Sequence, residues 1–183
     1  MKLDILEEVM LPEGVSATVS SSGLLVKGAK GEVVRKLDNI RVSLTVKGNI
    51  VEFASKKATK REKSFLYSSI AHLRNMMAGV VSPYTYTLKI CSGHFPMTCT
   101  ISNNMFTIKN FLGEKVPRTV RLRAGVSVKL DGDKVMIQSV NKELAGQTAA
   151  DIEKATRISG KDLRVFQDGI YMIEKAGVAV EHA

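Results

Sequence analysis

The decapeptide GLLVKGAKGE at residues 23–32 has a gapless echo in MFTIKNFLGE at 105–114. Leu24 falls on Phe106, Val26 on Ile108, Lys27 on Lys109, Gly31 on Gly113 and Glu32 on Glu114. A second pair follows in the same order: TVKGNIVEFAS (45–55) lies over KLDGDKVMIQS (129–139), with Gly48 on Gly132 and Ser55 on Ser139. The offset drifts from 82 to 84, as a two-residue change in one loop would produce. Two matched phrases on equivalent elements point to a tandem duplication, and a chain of 183 residues has room for two small domains.

Each copy reads as strands followed by one helix. In the first, Val15, Ala17 and Val19 alternate, Ser21-Ser22-Gly23 turns, and Leu24 with Val26 resume the alternation. After a turn at Lys30-Gly31 come Val33, Arg35 and Leu37, then Ile40, Val42, Leu44 and Val46. The Gly48-Asn49 hairpin signal leads to Val51 and Phe53. Thr59-Lys60-Arg61-Glu62 fits a capping box, and Leu66, Ile70, Leu73 and Met77 then recur at helical spacing, flanked by Phe65 and Met76, up to a stop at Gly79. The second copy offers Cys99 and Ile101, an Asn103-Asn104 turn, Phe106 and Ile108, then Val116, Val120 and Leu122, then Val126, Val128 and Leu130. Asp131-Gly132-Asp133 is its hairpin, answered by Val135 and Ile137, and its helix opens at Asn141, carries Leu144, Thr148, Ile152 and Ala155 on one stripe, and ends before Gly160. Short strands with tight turns imply antiparallel sheets. The expected fold is α+β: two tandem duplicated domains, 1–82 and 83–183, each a short-stranded antiparallel sheet packed with one main helix.

Groups that converge for chemistry are sparse. GAKG (28–31) lacks the Lys-Ser/Thr ending of a phosphate-binding loop and reads as a hairpin turn. Ser92 and His94 flank Gly93 without a serine-hydrolase elbow, and Asp131 and Asp133 flank a turn glycine, where aspartate is expected for backbone reasons. His72 lies beside Arg74 and Asn75, off the apolar stripe. Cys91 and Cys99 have no second ligand pair among His72, His94 and His182, so they read as reduced core cysteines. Met76 and Met77 read as core. The chain is expected to be non-enzymatic, with no metal, no cofactor and no small-molecule substrate. No stretch approaches the roughly 20 apolar residues of a membrane span, and the acidic start MKLDILEEVMLPEG is unlike a signal peptide. A cytoplasmic protein without a membrane partner is expected.

Charge is the informative bulk property. The net charge is +9, divided as +5 before residue 83 and +4 after it, so both halves share the excess. A basic folded protein favours polyanions. The cations cluster in three runs. KKATKREK (56–63) brings Lys57, Lys60 and Arg61 to the start of the first helix. EKVPRTVRLR (114–123) brings Arg121 and Arg123, whose equal parity predicts a common sheet face. The third run, through Lys154, Arg157, Lys161, Arg164, Gln167, Gly169 and Tyr171, mixes cations, amide, glycine and aromatics and has no counterpart in the first copy. Lys and Arg hold phosphates, glycine admits close backbone approach, and tyrosine stacks on a base or sugar. The duplicate is specialised there.

HLRNMMAGV (72–80), NFLGEK (110–115), RLRAGV (121–126) and RVFQDGIY (164–171) together resemble the family of the sixth protein of the large ribosomal subunit, in its archaeal and eukaryotic-cytosolic form. The resemblance covers about 10–174, and the short N-terminus looks archaeal. It implies two duplicated α+β domains and a structural role in the cytoplasmic ribosome. The implied partners are large-subunit (23S-type) rRNA near the stalk base and the translation-factor-binding region, together with neighbouring ribosomal proteins. Carried over by position, the rRNA contacts are Lys154, Arg157, Lys161, Arg164, Gln167, Asp168, Gly169 and Tyr171. Asp168 is expected to orient an arginine or accept a sugar hydroxyl. Lys57, Lys60, Arg61, Arg74, Asn75, Arg121 and Arg123 are secondary candidates for RNA or protein contact. Two rival readings are a free-standing RNA-binding module and a protein-binding adaptor using Met76, Met77 and the acidic N-terminus. The first would favour aromatic platforms, against an aromatic content of 5% without tryptophan.

Overall fold

The computed structural model describes residues 3–20, 23–37 and 41–180. The turn expected at Ser21-Ser22, and the positions of Ile40 and His182, lie outside the described residues. The chain separates into two compact units, Met1–Pro83 and Tyr84–Ala183.

In the first unit, β1 (Leu3–Met10), β6 (Ile50–Ala58) and β5 (Ser43–Lys47) form one antiparallel sheet in the order β1-β6-β5. The strands β2 (Ser16–Ser20), β3 (Gly23–Gly28) and β4 (Gly31–Arg35) form another in chain order. Helix α1 (Lys60–Val81) packs on β6, β3 and β4 and so closes both sheets over one core. Leu24, Val26, Val51, Phe53, Leu66, Leu73 and Val80 are essentially inaccessible there. Complete burial of such side chains stabilises by about 1.5–3 kcal/mol apiece. Met76 and Met77 belong to this buried set.

The second unit repeats the scheme. Strands β7 (Tyr84–Cys91), β12 (Lys134–Ser139) and β11 (Ser127–Asp131) stand in the relation of β1, β6 and β5, while β8 (Thr98–Ser102), β9 (Met105–Lys109) and β10 (Arg118–Arg121) reproduce β2, β3 and β4. Register carries the correspondence to single residues. Val19 pairs with Leu24 and Ile101 with Phe106; Leu44 pairs with Phe53 and Val128 with Ile137. Gly48 and Gly132 take φ of 58° and 56° in the two matching hairpins, and Asn103 and Asn104 both adopt positive φ between β8 and β9. Helix α2 (Lys142–Ala155) is capped by Asn141, whose side-chain oxygen accepts the Glu143 N–H at 2.9 Å. The second copy also has an addition: β13 (Gly169–Lys175) pairs with the outer edge of β7, and β14 (Val178–Ala179) pairs with β13.

Several expectations need correction. Both copies begin with a strand that the alternation did not disclose, β1 and β7. Acidic side chains interrupt the apolar pattern of β1, and β7 is flanked by β12 and β13, partners distant in sequence. Val19 is exposed on β2, and Val116 is exposed outside any strand. Helix α1 does not stop at Gly79, which is buried inside it; it runs to Val81 and is closed by Ser82 in extended conformation (φ −135°, ψ 115°). Pro83 disfavours helical geometry at the preceding residue, in keeping with an end at Val81. The capping box stands as expected: the backbone N–H of Glu62 turns to the Thr59 side chain and the Thr59 N–H donates to the Glu62 carboxylate at 2.9 Å, which the Thr59 hydroxyl also contacts. Gly31 and Gly113 align in sequence but differ in role. Gly31 opens β4, whereas Gly113 closes a 3-10 turn, Phe111–Gly113, that among the described residues only the second copy inserts.

Candidate nucleic-acid interface

The surface is built where α2 ends. The buried Thr156 accepts the Ile170 N–H on its hydroxyl at 2.9 Å, and that hydroxyl donates to the Glu153 carbonyl at 3.0 Å. The loop 157–168 therefore leaves and rejoins the body at one point. Within it, Asp162 organises a turn: its carbonyl accepts the N–H groups of Val165 and Phe166 at 3.2 and 2.9 Å. Its carboxylate takes Arg164 at 2.8 and 3.1 Å. The Arg164 side chain stays 89% exposed and carries its charge outward.

Asp168 departs from the sequence reading. Its side chain is 1% exposed and accepts the backbone N–H of Gly93 at 2.8 Å and of His94 at 3.1 Å, with His94 Nδ1 at 3.2 Å. Burial alone would push this carboxyl up, but the donors from Gly93, His94 and Phe95 outweigh it and hold it below the ordinary aspartate value. A carboxylate so enclosed does not orient an arginine or meet a sugar. It ties the loop 92–95 to the loop 157–168.

The consequence is a groove of about 690 Å³ lined by Ser92, His94, Val165, Gln167 and Tyr171 among others. Gly169 and Tyr171 share one face of β13, and a Cβ at Gly169 would lie 3.0 Å from the Tyr171 ring. Glycine thus lets the ring lie against the backbone, where its hydroxyl donates to the Gln167 carbonyl at 3.1 Å. The His94 ring stands 5.0 Å from that of Phe166, and the Lys161 ammonium lies 4.9 Å from the Phe166 centroid. Lys154, Arg157, Lys161, Arg164, Gln167 and Tyr171 are all exposed, while Asp168 and Gly169 are buried beneath them. The sequence reading set Ser92 and His94 aside as a failed catalytic pair. Their place beside the cationic loop depends on Asp168, 74 residues from His94 along the chain.

The secondary candidates are scattered. Lys57, with φ 51° and its N–H on Asp4 Oδ1 at 2.6 Å, sits in β6 just before Lys60 and Arg61 open α1. Arg74 is exposed and Asn75 half-buried on the same helix. Arg121 ends β10 and Arg123 lies beyond it, so strand parity does not relate them; both instead border a second groove, where Arg123 is paired to Asp151 at 3.0 Å. Arg118, from the same run, is structural: it donates to the Ala155 carbonyl at 2.8 Å, at the end of α2, and stacks 4.3 Å from the Phe111 centroid. Cys91 and Cys99 are free thiols, and burial pushes that of Cys99 up to about 11. No helix among the described residues is long and apolar enough to cross a membrane.

A duplicated pair of α+β units, one of them extended by a cationic loop and two added strands, is the class of protein that this architecture defines. The family model for ribosomal protein L6 matches residues 11–82 and 95–169, one segment in each unit. The chain belongs to the ribosomal protein L6 family. It is 42% identical to the large ribosomal subunit protein uL6 of Methanobrevibacter smithii over 171 residues, covering 93% of this chain and 96% of that protein. The uL6 protein of Methanococcus vannielii is 40% identical over 173 residues (94% and 95%), and that of Methanospirillum hungatei 39% over 168 residues (92% and 96%). The resemblance carried by the four sequence blocks named the same family.

Proposed function

We propose that this ribosomal protein is a structural constituent of the large subunit, held on large-subunit rRNA chiefly by the second unit. The gripping surface is the segment from Lys154, in the last turn of α2, through the loop 157–168 to Tyr171 in β13, together with the loop 92–95. The observation that carries this reading is a loop that exposes Arg157, Lys161 and Arg164, follows Lys154 at the end of α2, is fixed at both ends by Thr156 and Asp168, and borders a groove lined by the exposed Tyr171. Cations neutralise phosphates and release counterions, which supplies affinity. A base-paired RNA major groove is too deep and narrow to read, so the loop would recognise folded shape through phosphates and 2′-hydroxyls, with Tyr171 available to stack. Gln167 presents an amide to sugar or base edges, and Asp168 acts by positioning. The family resemblance adds the neighbourhood, at the stalk base beside the site that translation factors engage, with other ribosomal proteins and cytoplasmic residence.

The test is alanine at Arg157 and Arg164 together, followed by sedimentation of lysate through gradients at low and high salt. Loss of the double variant from large subunits, earlier in salt than the parent, is expected. Unchanged incorporation would overturn docking by this loop, and recovery of the parent protein mainly free of ribosomes would favour a free-standing RNA-binding module.

A further inference from the structure

The duplication supplies an internal control for the first unit. Strand β1 occupies there the position of β7 in the second: Val9 pairs with Val51 as Leu88 pairs with Val135, and Glu7 pairs with Phe53 as Tyr86 pairs with Ile137. In the second unit the far edge of β7 is covered by β13, antiparallel, with Ile170 opposite Ile90 and Met172 opposite Leu88. In the first unit β1 ends its sheet, and no described strand pairs with its far edge.

Two features mark that edge. It is apolar and exposed: Leu3, Leu6 and Met10 are 51%, 62% and 76% accessible. Beside it stands Tyr67, 44% accessible, its hydroxyl donating to Glu7 at 2.8 Å. Counted from the helix N-caps Thr59 and Asn141, Tyr67 corresponds to Ala149, which is wholly buried in α2, a helix that packs against β13. The edge is also acidic. The strand LDILEEVM holds Asp4, Glu7 and Glu8 and no cation, in a chain whose net charge is +9. None of the three is in an ion pair among the described residues.

We propose that the free edge of β1 is a protein-docking edge, which takes an extended peptide segment carrying Lys or Arg between apolar residues as an added antiparallel strand. Backbone hydrogen bonding to an open sheet edge provides affinity, and alternate side chains provide selection. The acids serve both sides of that selection. They repel phosphate, which turns this edge away from RNA, and they discourage pairing with a second acidic β1, while attracting a basic strand. The partner's inward residues would meet Val9 and Tyr67, as Met172 meets Leu88 in the second unit.

This inference rests on residence in the large subunit, and the experiment separates the two. A photo-crosslinking residue replaces Met10 in the full-length protein, and large subunits purified at moderate salt are irradiated. The expected product joins position 10 to a Lys- or Arg-bearing extended segment of another subunit protein, identified by mass spectrometry. Amide exchange across 3–10 should also be at least about tenfold slower in the subunit than in the free protein. Glu8→Lys should reduce the crosslink several-fold, whereas Glu13→Lys, an equal charge change on the exposed loop after β1, should leave it intact. A crosslink to RNA, to a second copy of the chain or to nothing, in subunits that do contain the protein, overturns the docking edge alone. Absence of the protein from subunits overturns both readings.

Discussion

The buried carboxylate of Asp168 accepts the backbone N–H of Gly93 at 2.8 Å and thereby joins two loops that lie 75 residues apart in the chain. Replacing Asp168 with Asn keeps its size but turns one acceptor oxygen into a donor facing N–H groups. Loss of hydrogen bonds to a buried charged group costs about 1.5–3 kcal/mol. Asp168→Asn should lower the denaturant midpoint accordingly and speed amide exchange at Gly93 and His94. An unchanged midpoint would show the contact to be energetically idle.

The stability of the first unit should fall in acid through Glu62. The hydroxyl and N–H of Thr59, with Arg41 at 3.2 Å, hold the Glu62 carboxyl at about 2. A folded value below the unfolded one, about 4.3, gives stabilisation that is complete above the unfolded value and is lost as pH falls toward about 2. Far-UV circular dichroism followed down to about pH 2 should therefore show an acid limb that Glu62→Gln flattens. A limb of identical slope in the variant would refute the assignment.

Tyr171 should contribute by its ring. Stacking on a nucleobase is worth about 1–3 kcal/mol, or roughly 5- to 150-fold in affinity. Tyr171→Ala should weaken binding to large-subunit rRNA within that range, while Tyr171→Phe, which loses only the bond to the Gln167 carbonyl, should weaken it much less. Gly169→Ala should resemble Tyr171→Ala, because its Cβ would displace the ring from 3.0 Å. Equal effects of Phe and Ala at position 171 would remove the ring from the interface.

The cations should be unequal. Arg157 is exposed and has no ion-pair partner among the described residues, whereas Arg164 is already paired to Asp162. Each phosphate contact adds about 0.7–0.9 to the slope of log affinity against log salt. Arg157→Ala should reduce that slope by about one contact, and Arg164→Ala by less. A larger loss at Arg164, measured by filter binding across a salt series, would reverse the ranking.

Local signals explain what could be read before the fold was seen. The positive-φ hairpins at Gly48 and Gly132, the capping at Thr59 and Asn141, and the helical stripes through Leu66–Leu73 and Thr148–Ile152 all depend on residues within a few positions of each other. So does the run of cations from Lys154 to Arg164, whose charge needs no partner to be visible. The misreadings share the opposite property. Strand β1 is defined by β6, some 50 residues away, and β7 is flanked by β12 and β13, so neither declares itself by alternation alone.

The sequence by itself therefore determined the duplication, the two helices and the basic segment, because these rest on matched phrases, short-range geometry and composition, and the family through the resemblance of four sequence blocks. Only the tertiary structure decided that Asp168 is an internal clamp, that Ser92 and His94 border the cationic loop, and that β13 closes an edge which β1 leaves open. Burial and strand pairing depend on which distant residues meet, and a carboxylate reads the same in sequence whether water or three backbone amides surround it.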